Sequence, residues 1–259
     1  KGDLIMGRGG RLNHWAIQAL ISCDVKSVQV SKKPKVALIA NGNELVLPGS
    51  KKEGVSCGNL QAIGEMVTSQ GADVVYSELV KDDLKSLVEA ISNAKKKADL
   101  IVTLGGAADG ERDYAKKAFL DNDGEVVFDR IDMKPGGPTF LMNLKGGAIG
   151  LGVSGNPLSS LIVFELLGIQ IIRLMVGAKK YRPLHLNAKI DESVIWNSRK
   201  EGFIPGRTTS LNPMRVVNVQ PHGSHRVKGL PDTELIIRLA SGSKECLRDS
   251  EVEVLTWDS

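Results

Sequence analysis

The sequence predicts an α/β fold with a mostly parallel sheet, followed by a small all-β barrel domain. Up to about residue 104, apolar strand-like runs alternate with helical repeats. That order is typical of a parallel sheet with right-handed crossovers. A long apolar segment at 159–177 has the composition of a helix packed against a sheet. After Lys179 the chain changes to short alternating strands with frequent turns, which predicts a separate β domain.

The first half supplies three buried strands in order. "KVALIA" at 35–40 is a continuous apolar run and predicts the first strand. "NLQAIGEMVTSQG" at 59–71 has helical spacing and stops at a glycine. "ADVVYSEL" at 72–79 and "DLIVTL" at 99–104 are the second and third strands. The segment between them is expected to be a helix that begins after Asp82 and Asp83, because acidic residues favour the positive end of a helix.

The middle of the chain is less regular. "RDYAKKAFLD" predicts a short helix, and three extended pieces punctuated by glycine and proline follow it. The barrel strands are then expected in "HLNAKIDESVI", "MRVVNVQ", "TELIIRLA" and "SEVEVLTW".

Composition restricts the class of protein. The chain has 259 residues and a formal net charge of +4, which suits an anionic small ligand but is too weak to indicate nucleic acid. We find no signal-peptide pattern and expect no apolar run long enough to cross a membrane. The three cysteines are scattered and suggest no disulfide framework, which favours a reducing, cytoplasmic location.

Glycine-containing loops follow three of the predicted strands. They are "NGNEL" at 41–45, "GGAADGERD" at 105–113 and "VSGNPLSS" at 153–160. In an open parallel sheet, ligands bind at the carboxyl ends of the strands. Glycines allow close backbone approach, and the free amides at the start of a following helix favour an anion. Each loop alone is weak evidence, because Asn-Gly after a strand is more often a tight turn and Gly-Asn-Pro is often only a helix start. Three such loops at one edge predict an anion cradle.

A positive pair lies between the second and third loops. Arg130 and Lys134 belong to "DRIDMKPGGP" at 129–138, where two prolines stiffen the backbone. We expect this pair to clamp a phosphate or oxyanion. The alternative is that both are ordinary surface cations.

These motifs, in this order, resemble the molybdopterin molybdotransferases of the MoeA and gephyrin E-domain type. "NGNELVLPG", "LGGAADGERDYAKK", "MKPGGP" and "GVSGNPLSS" correspond to the patterns TGDEL…PG, SGGxSxGxxDY, KPGKP and GLPGNPxS. The resemblance covers nearly the whole chain. It implies a remnant of a preceding linker or domain at 1–33, a MoaB/Mog-like three-layer molybdopterin-binding domain at 34–178 and a C-terminal β-barrel domain at 179–259. The chain thus resembles an N-terminally shortened and divergent member.

The resemblance also implies an activity. In the family, molybdate is inserted into the dithiolene of adenylylated molybdopterin, AMP is released, and a divalent cation, here Mg²⁺, assists. Molybdopterin and molybdate are then the substrates, a homodimer is the expected assembly, and neither nucleic acid nor a membrane is an expected partner.

Site residues carry over position by position. The residues implied for catalysis are Glu44, Asp82, Asp113, Arg130 and Lys134, and Glu44, Asp82 and Asp113 are also implied as metal ligands. The residues implied for substrate binding are Asn41, Gly42, Asn43, Gly105, Gly106, Gly110, Pro135, Gly136, Gly155, Asn156, Pro157, Ser159 and Ser224.

Several positions depart from the family patterns. Asn41 and Asn43 stand where Thr and Asp are usual, and Gly137 replaces the second lysine of KPGKP. Ser154 replaces a proline, and Cys57 falls where a polar residue is expected. Because these changes remove charge from the reaction centre, three functions stay open: a molybdotransferase, a catalytically impaired molybdopterin-binding or scaffold protein, and another nucleotide-linked activity on the same fold.

Overall fold

The computed structural model describes residues 2–106, 114–219, 228–242 and 244–257. Within these ranges the helices are α1 (His14–Ser22), α2 (Asn59–Ser69), α3 (Leu84–Lys95), α4 (Tyr114–Leu120), α5 (Pro157–Val163) and α6 (Ile169–Met175). A π-helical turn, Phe164–Gly168, joins α5 to α6, and a short 3₁₀ turn covers Leu230–Asp232.

Sixteen strands are present in the same ranges. The first nine are β1 (Lys35–Asn41), β2 (Leu45–Val46), β3 (Val55–Ser56), β4 (Asp73–Val80), β5 (Leu100–Leu104), β6 (Gly124–Phe128), β7 (Met133–Lys134), β8 (Phe140–Leu144) and β9 (Ile149–Val153). The remaining seven are β10 (Leu184–Ile190), β11 (Val194–Ile195), β12 (Glu201–Leu211), β13 (Met214–Asn218), β14 (Leu235–Leu239), β15 (Glu245–Cys246) and β16 (Glu251–Thr256).

A six-stranded sheet forms the centre of the first half, in the order β4-β1-β5-β9-β8-β6. The first four strands of that order are parallel, and β8 and β6 each run antiparallel to their neighbour. The three strands predicted from apolar runs are therefore confirmed as neighbours in a mostly parallel sheet.

Helices cover both faces of this sheet because its strands are apolar on both faces. Leu38 of β1 points into a core with α2, α5 and α6, whereas Ile39 points into a second core with α3 and α4. Alternate residues of a strand face opposite sides, so one apolar run supplies both cores. The result is the predicted three-layer arrangement.

The predicted start of α3 is confirmed in detail. Asp83 is the N-cap residue, and its side chain accepts a hydrogen bond of 2.8 Å from the backbone amide of Ser86. An N-cap bond of this kind satisfies an amide that the helix leaves unpaired.

The helix formed by α5, the π-helical turn and α6 begins at Pro157, two residues before the predicted start. Among the described residues it is the one helix long and apolar enough, at 19 residues, to match a membrane span by length and composition. The expectation that no apolar run reaches that length is therefore wrong. However, 61% of its most apolar window is buried inside the protein, which explains its composition by core packing.

Five strands of the second half close into a small barrel, in the order β13-β10-β16-β14-β12 with β12 also pairing with β13. The barrel prediction is confirmed. β7 precedes the predicted domain boundary at residue 178, yet it pairs in parallel with β12 of the barrel. Ile236 and Leu255 of the barrel also belong to the α2 side of the first core. The two halves are thus joined by strand pairing and by shared apolar packing.

Candidate anion site at the carboxyl edge of the parallel sheet

Three neighbouring strands end side by side. Ala40 of β1 pairs with Leu104 of β5, and Leu104 pairs with Val153 of β9. The three glycine-containing loops therefore leave the sheet at the same edge and at the same height. This is the edge at which α/β sheets bind ligands.

The loops also touch one another. A Cβ atom built on Gly105 would lie 2.7 Å from the carbonyl oxygen of Asn41, and one built on Gly155 would lie 3.4 Å from the Cα of Gly105. Gly105 thus packs between the first and the third loop. A side chain at this position has no room, so the close approach of the three backbones depends on glycine.

The neighbouring Gly106 is required for a second reason. Its φ is +68° and that of Gly105 is +115°, values that L-residues rarely adopt. A Cβ built on Gly106 would also lie 2.9 Å from the Nδ2 of Asn41. Two consecutive glycines therefore turn the backbone sharply over Asn41 as it leaves the strand.

The loop after β1 is tied to the start of α3. The Nδ2 of Asn41 donates to Asp82 Oδ1 at 2.8 Å, and the backbone amide of Asp82 donates to Asn43 Oδ1 at 3.2 Å. Gly42 continues the connection, because its amide donates to the carbonyl of Val80 at 3.4 Å. The two asparagines that depart from the family pattern thus hold Asp82 from two sides.

One acceptor in this cluster has no partner among the described residues. Asn41 is only 5% exposed, and its Oδ1 atom is buried without a hydrogen bond. Thr103 Oγ1, close to the end of β5, is the other such atom. An unsatisfied buried polar atom costs about 1–3 kcal/mol, so a ligand that donates to Asn41 Oδ1 recovers that cost.

In the third loop the side chains mainly shape the helix start. Asn156 is the N-cap of α5 and accepts from the backbone amide of Ser159 at 3.2 Å, while Ser154 Oγ accepts from the amide of Asn156 at 3.2 Å. Pro157 occupies the first helical turn, where its missing amide costs nothing. Ser159 is buried behind this turn.

Asn59, at the start of α2, was not singled out from the sequence. Its Nδ2 donates to the carbonyl of Gly155 at 2.9 Å, so it anchors the third loop from the side. A polar residue at a helix start was visible in the sequence, but its partner lies 96 positions away. No local pattern identifies such a contact.

Glu44 is exposed beside the first loop. Gly42 leaves room for it, since a Cβ built on Gly42 would lie 3.1 Å from Glu44 Oε1. No group of three His, Cys, Asp or Glu residues able to hold a metal occurs within the described ranges. Three predicted site residues, Gly110, Asp113 and Ser224, lie outside those ranges.

The segment that carries Arg130 and Lys134 lies at the same edge. β6 ends at Phe128 and β8 begins at Phe140, which pairs with Gly152 close to the end of β9. Residues 129–139 therefore connect β6 to β8 at the carboxyl edge. β6 is two strands away from β9 in the sheet, which is roughly 10 Å at the usual strand spacing.

Lys134 itself is directed toward the barrel. Its Nζ lies 5.6 Å from the ring centroid of Trp196, which is the distance of a cation–π contact. Behind Lys134, Gly136 packs on α5, because a Cβ built there would lie 2.3 Å from Val163 Cγ2. Pro135 connects Lys134 to Gly136, and the turn continues through Thr139, whose hydroxyl donates to the Gly136 carbonyl at 2.7 Å.

Two carboxyl groups near the edge have lowered pKa values. Hydrogen bonds from the backbone amide and hydroxyl of Ser86 lower the pKa of Asp83. The Lys116 ammonium, 2.8 Å from Asp129, lowers the pKa of that carboxyl, mainly through their hydrogen bond. Both groups are therefore ionised near neutral pH and accept hydrogen bonds from neighbouring residues, so neither serves as a proton donor.

Comparison with known proteins gives one family. Residues 37–174 match the family described as a probable molybdopterin binding domain. A molybdopterin molybdenumtransferase of Staphylococcus aureus is 27% identical over 266 residues, and one of Staphylococcus epidermidis is 28% identical over 261 residues. Both alignments cover 100% of this chain and 62% of the relative. The chain therefore spans less than two thirds of the length of these curated relatives.

Solved structures share the fold of this chain. A molybdopterin biosynthesis MoeA protein from Pyrococcus horikoshii superimposes with a TM-score of 0.86 at 26% identity, covering 100% of this chain and 63% of that one. A molybdenum cofactor biosynthesis protein from Pyrococcus furiosus superimposes with a TM-score of 0.74 at 18% identity, covering 99% of this chain and 80% of that one. Both matches extend across the sheet and the barrel.

Proposed function

Because the chain belongs to the family of the probable molybdopterin binding domain, we propose that it acts in molybdenum cofactor biosynthesis and inserts molybdate into adenylylated molybdopterin, with release of AMP. The observation that carries this proposal is the meeting of three strand-end loops around Gly105. Such glycine loops present backbone amides at close range to an anionic ligand. A pterin that carries a phosphate or an adenylate has the required charge. The enzyme name of the Staphylococcus relatives supports the same reaction.

The proposed roles follow the geometry of the edge. The amides of the loops after β1, β5 and β9 hold the phosphate, and the glycines Gly105 and Gly155 allow it to approach the backbone. Asn41 lies at the floor of the cradle and accepts a hydrogen bond from the ligand through its buried Oδ1 atom. Arg130 and Lys134 hold the oxyanion, which is molybdate or the phosphate oxygens, at the far side of the edge.

Mg²⁺ is the metal that the family implies. The oxygen donors at the first loop suit it in type, because Mg²⁺ prefers oxygen ligands and needs only one or two protein carboxylates. Asp82 and Glu44 would hold it. The buried Oδ1 atom of Asn41 is near Asp82, because the Nδ2 atom of the same asparagine donates to Asp82. When bound, the ion neutralises charge on the phosphate oxygens. Asp82 is kept in a fixed position for this role by Asn41 and Asn43.

A second candidate function is a molybdopterin-binding or scaffold protein without catalysis. The observation in its favour is that Asn41 and Asn43 replace Thr and Asp of the family pattern, which removes a carboxylate from the first loop. Loss of one charged group at a reaction centre lowers the rate by orders of magnitude, while binding by backbone amides is unaffected. We further propose that the protein is cytoplasmic and forms a homodimer.

The decisive experiment combines binding and turnover. The 259-residue chain is incubated with adenylylated molybdopterin, Mg²⁺ and molybdate, and released AMP and cofactor-bound molybdenum are measured. Release of AMP together with molybdenum incorporation supports the molybdotransferase. Binding of molybdopterin without AMP release supports the scaffold function instead. A parallel incubation of plain molybdopterin with ATP and Mg²⁺ tests the third, nucleotide-linked activity, which would join AMP to the pterin phosphate and release pyrophosphate. Failure to bind any of these pterins contradicts the proposal.

A further inference from the structure

A basic patch surrounds the linker at 176–183, which joins α6 to β10. In the sequence, the segments 1–35 and 173–182 contain 11 of the 34 Lys and Arg residues but only 2 of the 30 Asp and Glu residues. The rest of the chain has more acidic than basic residues, although the net charge of the whole chain is +4. The excess of positive charge is therefore concentrated in two segments, and these segments meet in the structure.

The N-terminal segment crosses the linker through closely packed glycines. The backbone amide of Lys179 donates to the carbonyl oxygen of Gly9 at 3.0 Å. Gly9 has a φ of +79°, and a Cβ built there would lie 2.6 Å from the carbonyl oxygen of Gly177. A Cβ built on Gly7 would lie 3.1 Å from Lys179 Nζ. The exposed Arg8 stands between these two glycines, so its side chain starts beside the linker.

Further contacts hold the backbone of the linker in place. Arg173 of α6 is 8% exposed, and its Nη1 donates to the carbonyl oxygen of Lys180 at 3.2 Å. Its guanidinium also lies 4.4 Å from the ring centroid of Trp257, which follows the last barrel strand. Ser31 Oγ donates to the carbonyl oxygen of Val176 at 2.7 Å. The directions in which the linker side chains leave the backbone are therefore fixed by the fold.

The linker forms a concave surface with cationic walls. Its volume is about 260 Å³, and it is lined by Lys179, Lys180, Tyr181, Arg182 and Leu184. The guanidinium of Arg182 lies 5.4 Å from the ring centroid of Tyr181. Within the described ranges, no carboxylate lies within ion-pair distance of Lys179 or Arg182. By contrast, two arginines on the barrel surface each contact two carboxylates.

This concavity is far from the three glycine-containing loops. The helix from Pro157 to Met175 begins at the carboxyl edge and has 19 residues, which is roughly 28 Å for an ordinary helix. The linker follows the far end of that helix. Ser31, which contacts the linker, also precedes the start of β1 at Lys35. The linker therefore lies at the amino edge of the sheet, opposite the loops.

We infer that the linker concavity is a second anion-binding site, and that it binds the phosphate or diphosphate group of a small molecule. Lys179 and Arg182 contact the phosphate oxygens, and Arg8 adds positive charge from the N-terminal segment. Several cations around a small volume favour a multiply charged phosphate over a singly charged carboxylate. Pockets for small ligands usually measure roughly 300–1,000 Å³, so this one suits a small compound. The inference goes beyond the proposed function and does not rest on it.

The first test is titration calorimetry of the 259-residue chain with inorganic phosphate, pyrophosphate and AMP. The double variant Lys179→Met/Arg182→Met should bind the tightest of the three about 10-fold to 100-fold more weakly, because charge-assisted hydrogen bonds are the strong ones. Lys145→Met is the control. It removes one exposed lysine between β8 and β9, at the same edge of the sheet, and should leave the affinity within about twofold of the wild type.

Two results of this titration overturn the inference. One is equal affinity of the double variant and the wild type, and the other is a wild type that binds none of the three compounds. A single-stranded RNA provides a further comparison. If it binds more tightly than all three compounds and the double variant loses it, the patch is a nucleic-acid surface and the assignment to a small ligand is wrong.

The second test asks whether the two anion sites are separate. Pyrophosphate is titrated into the wild type in the presence of saturating molybdopterin, which occupies the glycine loops under the proposed function. The affinity of the linker for pyrophosphate should stay within about twofold, because the two sites lie at opposite edges. Loss of pyrophosphate binding on addition of molybdopterin means that both compounds share one site, and it contradicts the inference.

The inference and the proposed function fail separately. If the wild type binds no pterin but the double variant loses affinity for pyrophosphate, the proposed function is wrong and the linker site stands. If the wild type binds molybdopterin and the double variant binds pyrophosphate normally, only the linker site is wrong. Because Lys179 and Arg182 are exposed, the double variant should keep the Tm of the wild type, and thermal unfolding checks this.

Discussion

The carboxyl edge of the sheet and the outer surface of the barrel present polar groups in opposite ways. At the edge, glycines and buried amides bring backbones together around Gly105, and Asn41 keeps an unsatisfied acceptor. On the barrel, long charged side chains neutralise one another, as Arg215 does with Asp191 and Asp249. Arginines that are held by two carboxylates have little left for a ligand, whereas the edge keeps the Asn41 Oδ1 atom unpaired in a tight geometry. Under the proposed function, we therefore expect the sheet edge to bind the ligand and the ion-paired surface of the barrel to have a structural role.

The largest expected effect tests the steric requirement at the edge. Gly105→Ala places a Cβ 2.7 Å from the Asn41 carbonyl at a φ of +115°. Backbone strain of about 1–3 kcal/mol and overpacking of a further 1–3 kcal/mol, in rough terms, should lower the free energy of unfolding and abolish molybdopterin binding. Urea denaturation and a binding titration measure the two effects.

Gly146→Ala is the matched control for this prediction. Gly146 has a φ of +105°, close to that of Gly105, but a Cβ there meets nothing within 4 Å. The Gly146→Ala variant should be destabilised only by backbone strain, about 1–3 kcal/mol, and should still bind molybdopterin. Equal losses in the two variants would show that the loops do not depend on close packing at Gly105.

The next effect tests the buried acceptor. Asn41→Ala removes the hydrogen bond to Asp82, worth about 1 kcal/mol, but it also removes an unsatisfied oxygen. The two changes oppose each other, so stability should change by less than about 1 kcal/mol. Affinity for molybdopterin should fall roughly 10-fold, since a lost hydrogen bond in a buried site is costly to a ligand. A large loss of stability with unchanged affinity would mean that Asn41 is structural only.

A smaller effect concerns the third loop. Asn156→Ala removes the N-cap of a helix that is buried in the core, and should cost about 1 kcal/mol of unfolding free energy. Asn13→Ala removes the same kind of cap from α1, which has no buried residues. Because fraying of α1 does not disturb the core, the free energy of global unfolding should change by only a few tenths of a kcal/mol, which is about the measurement error. Chemical denaturation of both variants makes the comparison.

The smallest expected effects concern how the free energy of unfolding depends on pH. Hydrogen bonds from Thr209 and then Arg215 lower the pKa of Asp191, and the Arg215 bond lowers the pKa of Asp249. Their stabilising contribution is therefore complete above the ordinary aspartate pKa of about 4 and is lost as pH falls through the lowered values. Asp191→Asn should flatten this loss of stability at acidic pH.

Glu165, in the π-helical turn between α5 and α6, should behave in the opposite sense. Burial raises its pKa, although a hydrogen bond from Trp257 and the charge of Arg173 partly oppose that shift. Its contribution is complete below the ordinary glutamate pKa of about 4.3 and is lost as pH rises through the raised value. Glu165→Gln should remove this decline, measured by urea midpoints between about pH 3 and 8. Parallel pH profiles for the two variants would contradict the opposite pKa shifts of Asp191 and Glu165.

Local patterns in the sequence explain most of the correct predictions. "KVALIA" and "DLIVTL" predict buried strands because their apolar residues are continuous, and Asp83 predicts a helix start because its side chain caps an amide within three residues. The two glycines at 105 and 106 were recognised as unusual for a connector, and their positive φ values confirm it. The long apolar helix was expected to pack against the sheet, and its burial agrees with that, but the expectation that no apolar run reaches the length of a membrane span is wrong. Core packing and membrane insertion select the same apolar composition, so composition alone does not separate them.

By itself, therefore, the sequence determined the order of strands and helices, the barrel that follows the sheet, and the glycine loops of one edge. Only the tertiary structure decided that Asn59 supports Gly155, that Asn41 and Asn43 hold Asp82, and that Lys200 lies over Gly137. The physical reason is distance along the chain. Capping, turns and apolar periodicity act within a few residues, whereas these contacts join residues 39 to 96 positions apart and depend on the register in which strands pair.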